Sequence, residues 1–175
     1  GDVYKRQVNE HGLMAGTSAS TFSPDMTTTR GMIVTILYQL EGAPNLENEI
    51  LGYPFKDVDA DAYYAAAVYW ARMNGIVAGY SDERFGPNDT ITREQMATIL
   101  YRYAQYKGYD TTAKADLSKY TDAAQVGSWA LESIRWANAE GLVTGTSAAT
   151  LTPKGSATRA QAAMILTRFC QNITK

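Results

Sequence analysis

Gly75-Ile76-Val77-Ala78-Gly79, with Phe85-Gly86-Pro87 and Thr92-Arg93 downstream, is one of three copies of a single pattern in this chain. The other copies run from Gly12-Leu13-Met14-Ala15-Gly16 through Pro24 to Thr29-Arg30, and from Gly141-Leu142-Val143-Thr144-Gly145 through Pro153 to Thr158-Arg159. In every copy the proline follows the first glycine by 12 residues and the arginine follows it by 18. Successive copies start 63 and 66 residues apart. That unit exceeds the roughly 20 to 50 residues of common solenoid repeats, so three similar units packed on one another are expected.

Each glycine pattern closes a helical stretch and introduces a second one. Ahead of it, Tyr63, Ala67, Trp70 and Ala71 recur at helical spacing in copy two, and Trp129, Ser133, Trp136 and Ala137 do so in copy three. These front helices meet Gly75 or Gly141, where a left-handed residue commonly ends a helix. Beyond the proline turn a second helix carries an apolar residue at 3, 6, 7 and 10 positions after the arginine: Ile33, Ile36, Leu37, Leu40; Met96, Ile99, Leu100, Tyr103; Ala162, Ile165, Leu166, Phe169. One face of a helix has that spacing. The expected fold is all-α, with three helix-loop-helix repeats in a pseudo-threefold arrangement around a central three-helix bundle and the front helices packed outside.

Copy one lacks a front half, whereas Phe55-Lys56-Asp57-Val58 and Tyr120-Thr121-Asp122 lead into the front helices of the others. Gly1 to Gln7 matches nothing in either, and Asp2-Val3-Tyr4-Lys5-Arg6-Gln7 resembles the translation of a transposon sequencing adaptor. Residues 1–7 are therefore expected to be a non-native scar on a fragment cut at its start. The copies are assigned to residues 8–45, 53–108 and 118–175. A net charge of −2 and a pI near 5.4 argue against a general grip on nucleic acid or anionic lipid. No apolar run is long enough for membrane insertion. The one cysteine, Cys170, excludes an internal disulfide and lies on an amphipathic stretch, as a buried or half-buried thiol would.

Most of the chemistry lies at the start of the second helix. Thr92 with Gln95 and Thr158 with Gln161 have capping-box spacing, while Thr29 has Met32 in place of the partner. Arg30, Arg93 and Arg159 then occupy the first turn, where the helix dipole disfavours a cation by roughly 0.3–1 kcal/mol. Helix stability does not ask for arginine there. A guanidinium beside free backbone N–H groups would receive a carboxylate or phosphate. The arginines could equally pair with Asp57 or Asp122, tying one copy to the next. The loop glycines are positive-φ turn positions more simply than a phosphate cradle, since no Walker-type pattern accompanies them. The aromatics Tyr63, Trp129, Trp70 and Trp136 read more simply as core than as sugar platforms, although one per copy could flank a groove, Tyr63 or Trp129 being the better candidate because it is nearer the helix start.

The order Phe-x-Asp-Val, aromatic-Ala, Gly-Ile-x-x-Gly, Phe-x-Pro, Ile-Thr-Arg-Glu, strongest over Phe55 to Gly108, resembles the S-layer homology (SLH) domain, and the three copies resemble its triplet. The resemblance implies a noncovalent cell-wall anchor of a larger exported protein, extracellular in the cell wall or S-layer. Grooves between repeats would bind secondary cell wall polysaccharide through an acidic, pyruvylated sugar, or else peptidoglycan directly. By resemblance the ligand-binding residues are Arg30, Arg93, Arg159, Asp57, Asp122, Tyr63 and Trp129, with loop glycines such as Gly79 and Gly145 allowing close approach. Arg93 and Arg159 carry the main expectation, because a groove needing the front half of copy one would be incomplete. The copies depart from the family's Thr-Arg-Ala-Glu, reading Thr29-Arg30-Gly31-Met32, Thr92-Arg93-Glu94-Gln95 and Thr158-Arg159-Ala160-Gln161. The displaced glutamate puts any role of that acid in doubt. A scaffold for protein or lattice contacts is the rival. Catalysis is not expected: no carboxylate pair recurs, His11 is the single histidine, and no Cys/His cluster could hold zinc. No cofactor or metal is implied.

Overall fold

A computed structural model describes residues 26–46 and 55–174. The adaptor-like segment, the first glycine pattern, Pro24 and His11 lie outside the described residues. Within them the chain forms five α-helices and no β-strand: α1 (Arg30–Leu40), α2 (Ala65–Met73), α3 (Arg93–Tyr106), α4 (Leu131–Ala139) and α5 (Arg159–Asn172). Two short 3₁₀ turns, Ala123–Gln125 and Ser128–Ala130, precede α4.

The helix boundaries follow from local chemistry. Thr92 and Thr158 each accept the amide of the glutamine three residues on, at 3.2 Å, and that glutamine's Oε1 accepts the threonine amide at 3.0 Å. Both capping boxes form, and Thr29 caps Met32 N alone. At the other end, Ile76 N donates to Ala71 O and Gly75 N to Arg72 O, with Gly75 at φ +71°. Leu142, Gly141, Ala137 and Asn138 repeat those bonds. This double bond satisfies the last carbonyls of the front helix, and its left-handed residue strongly favours glycine.

The apolar stripes lie inward. Ile33, Leu37, Met96, Leu100, Ala162, Leu166 and Phe169 are all fully buried. The second helix of copies one and two packs on the front helix of the following copy, α1 on α2 and α3 on α4. Trp70 stands between copies, 5.7 Å from the Tyr38 ring and 6.2 Å from that of Tyr103, and Trp136 lies 5.5 Å from Tyr101. These two tryptophans are core, as expected. Tyr63 and Trp129 are not part of the helical stripes. They precede α2 and α4 and are 65% and 53% exposed, which corrects the core reading for these two.

The three copies are joined by backbone. Thr28 N donates to Ala157 O, Ala157 N to Ile91 O, and Ile91 N to Thr28 O, at 2.8–3.0 Å, closing a ring with one residue from each copy. The side chains of all three are buried. The helix starts donate round the circuit in the opposite sense: Arg30 N and Gly31 N donate to Asp89 O and Pro87 O of copy two, Arg93 N and Glu94 N to Gly155 O and Pro153 O of copy three, and Arg159 N to Met26 O of copy one.

Candidate ligand grooves

These last bonds correct one premise drawn from the sequence. The first-turn amides of α1 and α3 are not free to hold an anion, because loop carbonyls of the next copy and the capping threonine already occupy them. The proline turn thus acts as an acceptor for the preceding copy's helix.

Arginine and aspartate act on one peptide from opposite sides. Asp57 accepts Phe85 N at 2.9 Å and Gly86 N at 2.8 Å, while Arg30 Nε donates to Phe85 O at 3.0 Å. In copy three Asp122 accepts Leu151 N and Thr152 N, both at 2.8 Å, and Arg93 Nε donates to Leu151 O at 3.2 Å. No ion pair joins Arg30 to Asp57 or Arg93 to Asp122. Copies are tied through a shared peptide group instead of the direct charge pair entertained from spacing. The amides of Leu151 and Thr152 hold the Asp122 carboxyl below the usual carboxylate range. Burial lowers the guanidinium pKa of both Arg30 and Arg93, each 6% exposed, yet arginine remains charged near neutrality.

The motif aromatic explains the loop glycine. A Cβ on Gly79, at φ +80°, would lie 2.5 Å from Phe55 Cε1, and one on Gly145 would lie 2.8 Å from Tyr120 Cε1 and nearer still to the Ser147 carbonyl of its own loop. Gly79 is thus both a left-handed position and a close approach. Gly145 is outside the positive-φ set, so close approach alone requires it.

Two clefts result. The first, about 530 Å³, is lined by Arg30 of copy one, the Val77–Tyr80 loop and α3 of copy two, and Trp129 of copy three. The Arg30 guanidinium lies over Tyr80 at 4.5 Å and Phe85 at 4.7 Å, and beyond its Nε bond it donates no side-chain hydrogen bond among the described residues. Gln95 Nε2 steadies Tyr80 through a 3.3 Å bond to its hydroxyl. The second cleft, about 280 Å³, joins Arg93 of copy two to the Leu142–Thr146 loop and α5 of copy three. There Arg93 also donates an Nη2 bond to Thr144 O, and no aromatic lines the wall. No carboxylate lines either cleft.

Each cleft combines the arginine of one copy with the loop of the next, so Arg30 is not handicapped by what precedes copy one. Asp57 and Asp122 line neither cleft and fix the loop from behind. Tyr63 also lines neither; it lies edge-on to Tyr64 at 5.1 Å. Arg159 bonds back to copy one through its amide, and the loop it would face lies outside the described residues.

Glu94, the displaced acid whose role the sequence puts in doubt, has a structural role here. Its carboxylate, 3% exposed, accepts Gly127 N at 3.0 Å and Lys154 Nζ at 3.0 Å. Gly127 packs against the Trp129 indole, so Glu94 steadies the segment that carries the cleft aromatic. Copies one and three have Gly31 and Ala160 there, and that contrast was the available signal. Cys170 is half-buried, and burial pushes its thiol pKa up. Among the described residues no helix is long and apolar enough to cross a membrane, and no group of three His, Cys, Asp or Glu could hold a metal ion.

Helical repeats that close on one another and leave arginine-bearing clefts between them define a repeat module with candidate binding sites at its inter-copy seams. Residues 54–97 and 119–163 match the S-layer homology domain, and the chain belongs to that family. It is 33% identical over 163 residues to an endoglucanase of Bacillus sp. (strain KSM-635), covering 93% of this chain and 17% of that protein. It is 33% identical over 166 residues to the surface-layer 125 kDa protein of Lysinibacillus sphaericus, covering 93% of this chain and 13% of the other. Over 167 residues it is 29% identical to cell surface glycoprotein 1 of Acetivibrio thermocellus, covering 91% of this chain and 7% of the other. The chain therefore spans less than a fifth of the curated relatives it matches. It is a cell-surface anchoring module, and the endoglucanase is matched only in its S-layer homology part.

Proposed function

We propose that this module holds a larger exported protein noncovalently to a bacterial wall by binding secondary cell wall polysaccharide, with an acidic, pyruvylated sugar as the recognised unit. The observation that carries this is the first cleft. It presents a fixed guanidinium with uncommitted Nη atoms, two exposed aromatic rings, Tyr80 and Trp129, and no lining carboxylate. A carboxylate on a sugar ring matches that set: the fork takes the anion, and an aromatic face covers the apolar side of the ring. Arg30 is the principal anion contact, Arg93 serves the second cleft, and Gly79 and Gly145 let the loop backbone approach the ligand. Asp57 and Asp122 act on the ligand through the loops they hold. Arg159 and Tyr63 contribute to binding as well, on a pseudo-threefold plan of three repeats.

Cosedimentation with wall sacculi, before and after acid extraction of the secondary polysaccharide, tests this. Binding is expected to disappear on extraction and to fall in Arg30→Ala. Binding that survives extraction would assign the ligand to peptidoglycan, and absence of binding to either preparation would favour a protein partner.

A further inference from the structure

Each cleft contains a second guanidinium. Arg102 follows Arg93 by nine residues and Arg168 follows Arg159 by nine, so they occupy one register of α3 and α5. Arg102 lines the cleft of Arg30, and Arg168 lines that of Arg93. The inter-copy arginines are partly compensated. Each gives Nε to a loop carbonyl, Asp89 and Asp57 act on Arg30, and Asp122 acts on Arg93. Arg102 makes no hydrogen bond or ion pair among the described residues, and Arg168 makes one bond of 3.3 Å to Gly141 O. A helix-dipole role does not account for them, since neither lies in the last turn of its helix, where that effect is concentrated. Copy one has Gln39 at this register, so the helical scaffold does not itself require arginine there.

Two guanidiniums in a cleft without a lining acid call for two negative groups on the occupant. We infer that Arg102 and Arg168 are second anion contacts, so that each cleft takes a wall-glycan segment bearing two carboxylates, one at the inter-copy arginine and one at the helix arginine. The first cleft, about 530 Å³, falls in the size range that encloses a drug-sized ligand, with room for more than one sugar residue. This inference rests on the wall-polysaccharide function proposed above.

Calorimetric titration with extracted wall polysaccharide, native and carboxyl-reduced, tests it on the wild type, Arg102→Gln/Arg168→Gln and Arg102→Lys/Arg168→Lys. Glutamine reproduces what copy one already carries at Gln39. The glutamine variant is expected to bind the native polysaccharide at least tenfold more weakly, with a shallower salt dependence, and the lysine variant is expected to recover part of both. Carboxyl reduction should remove the difference between wild type and the glutamine variant. Wild-type affinity and salt dependence in the glutamine variant, or a difference that persists after carboxyl reduction, would overturn the second contact and leave wall binding standing. Failure of the wild type to bind the native polysaccharide would overturn both.

Discussion

In the first cleft the Tyr80 ring closes over Gly86, where an added Cβ would lie 2.5 Å from Tyr80 Cε2. In the second, Thr146 and Thr152 hold the same two places and their hydroxyls are 2.6 Å apart. Gly86 has φ +72° and Thr152 φ +52°, so the backbone turns alike in both copies while the side chains differ as a pair. The glycine admits a ring that stacks on Arg30; the threonine excludes it. Arg93, with no ring above it, bonds to the Thr144 carbonyl. One coupled exchange therefore separates an aromatic cleft from a smaller polar one. Two grooves of common plan need not bind one ligand equally.

The sharpest way to break the comparison is Gly86→Thr. Strain at a left-handed position adds to overlap with Tyr80, and a stability loss of about 2–4 kcal/mol is expected in denaturant unfolding. Adding Tyr80→Thr should recover about 1 kcal/mol or more of it, since the two positions couple. Full additivity would contradict the pairing. Next in size, Trp129→Ala should weaken glycan binding by about 1–2 kcal/mol through the first cleft alone. Its melting temperature should barely change, because the indole is half exposed.

A third test uses acid. The folded pKa of Asp122 is lowered, so its contribution is complete above the ordinary carboxylate value of about 3.9 and is lost as pH falls through the lower folded value. Asp122→Asn should melt below the wild type at neutral pH, and the two curves should converge in acid. A constant gap from neutral to strongly acidic pH would refute the amide cradle. The smallest effect is expected from Thr152→Gly, a gain under about 1 kcal/mol as released strain is offset by glycine's extra chain entropy. A loss would show that the Thr146–Thr152 bond outweighs the strain.

The helices could be read from the chain because their signals are local: apolar spacing, a threonine with its glutamine, a glycine at each front-helix end. Trp70 and Trp136 were recognised as core for the same reason. The clefts were only half legible. Spacing singled out the arginines without saying which neighbour each one meets; the helix-start and side-chain bonds hand Arg30 to copy two and Arg93 to copy three. The premise of open helix amides failed because carbonyls distant in sequence fill them. Arg102 and Arg168 escaped notice because a polar residue on the outer face of a helix looks solvated until a neighbouring loop is placed over it.

The ring of Thr28, Ala157 and Ile91 has a consequence for how the module could arise and fail. An open array can gain or lose a unit at its end and keep most of its nearest-neighbour interfaces. A closed circuit cannot, because removing one member leaves the other two each facing an unanswered edge. Its joining bond links segments near opposite ends of the described chain, so closure must await the last copy, and pairing over such distances slows folding. The number three is thereby fixed by geometry, and a gene lengthened by one more repeat would have to build a second circuit instead of enlarging the first.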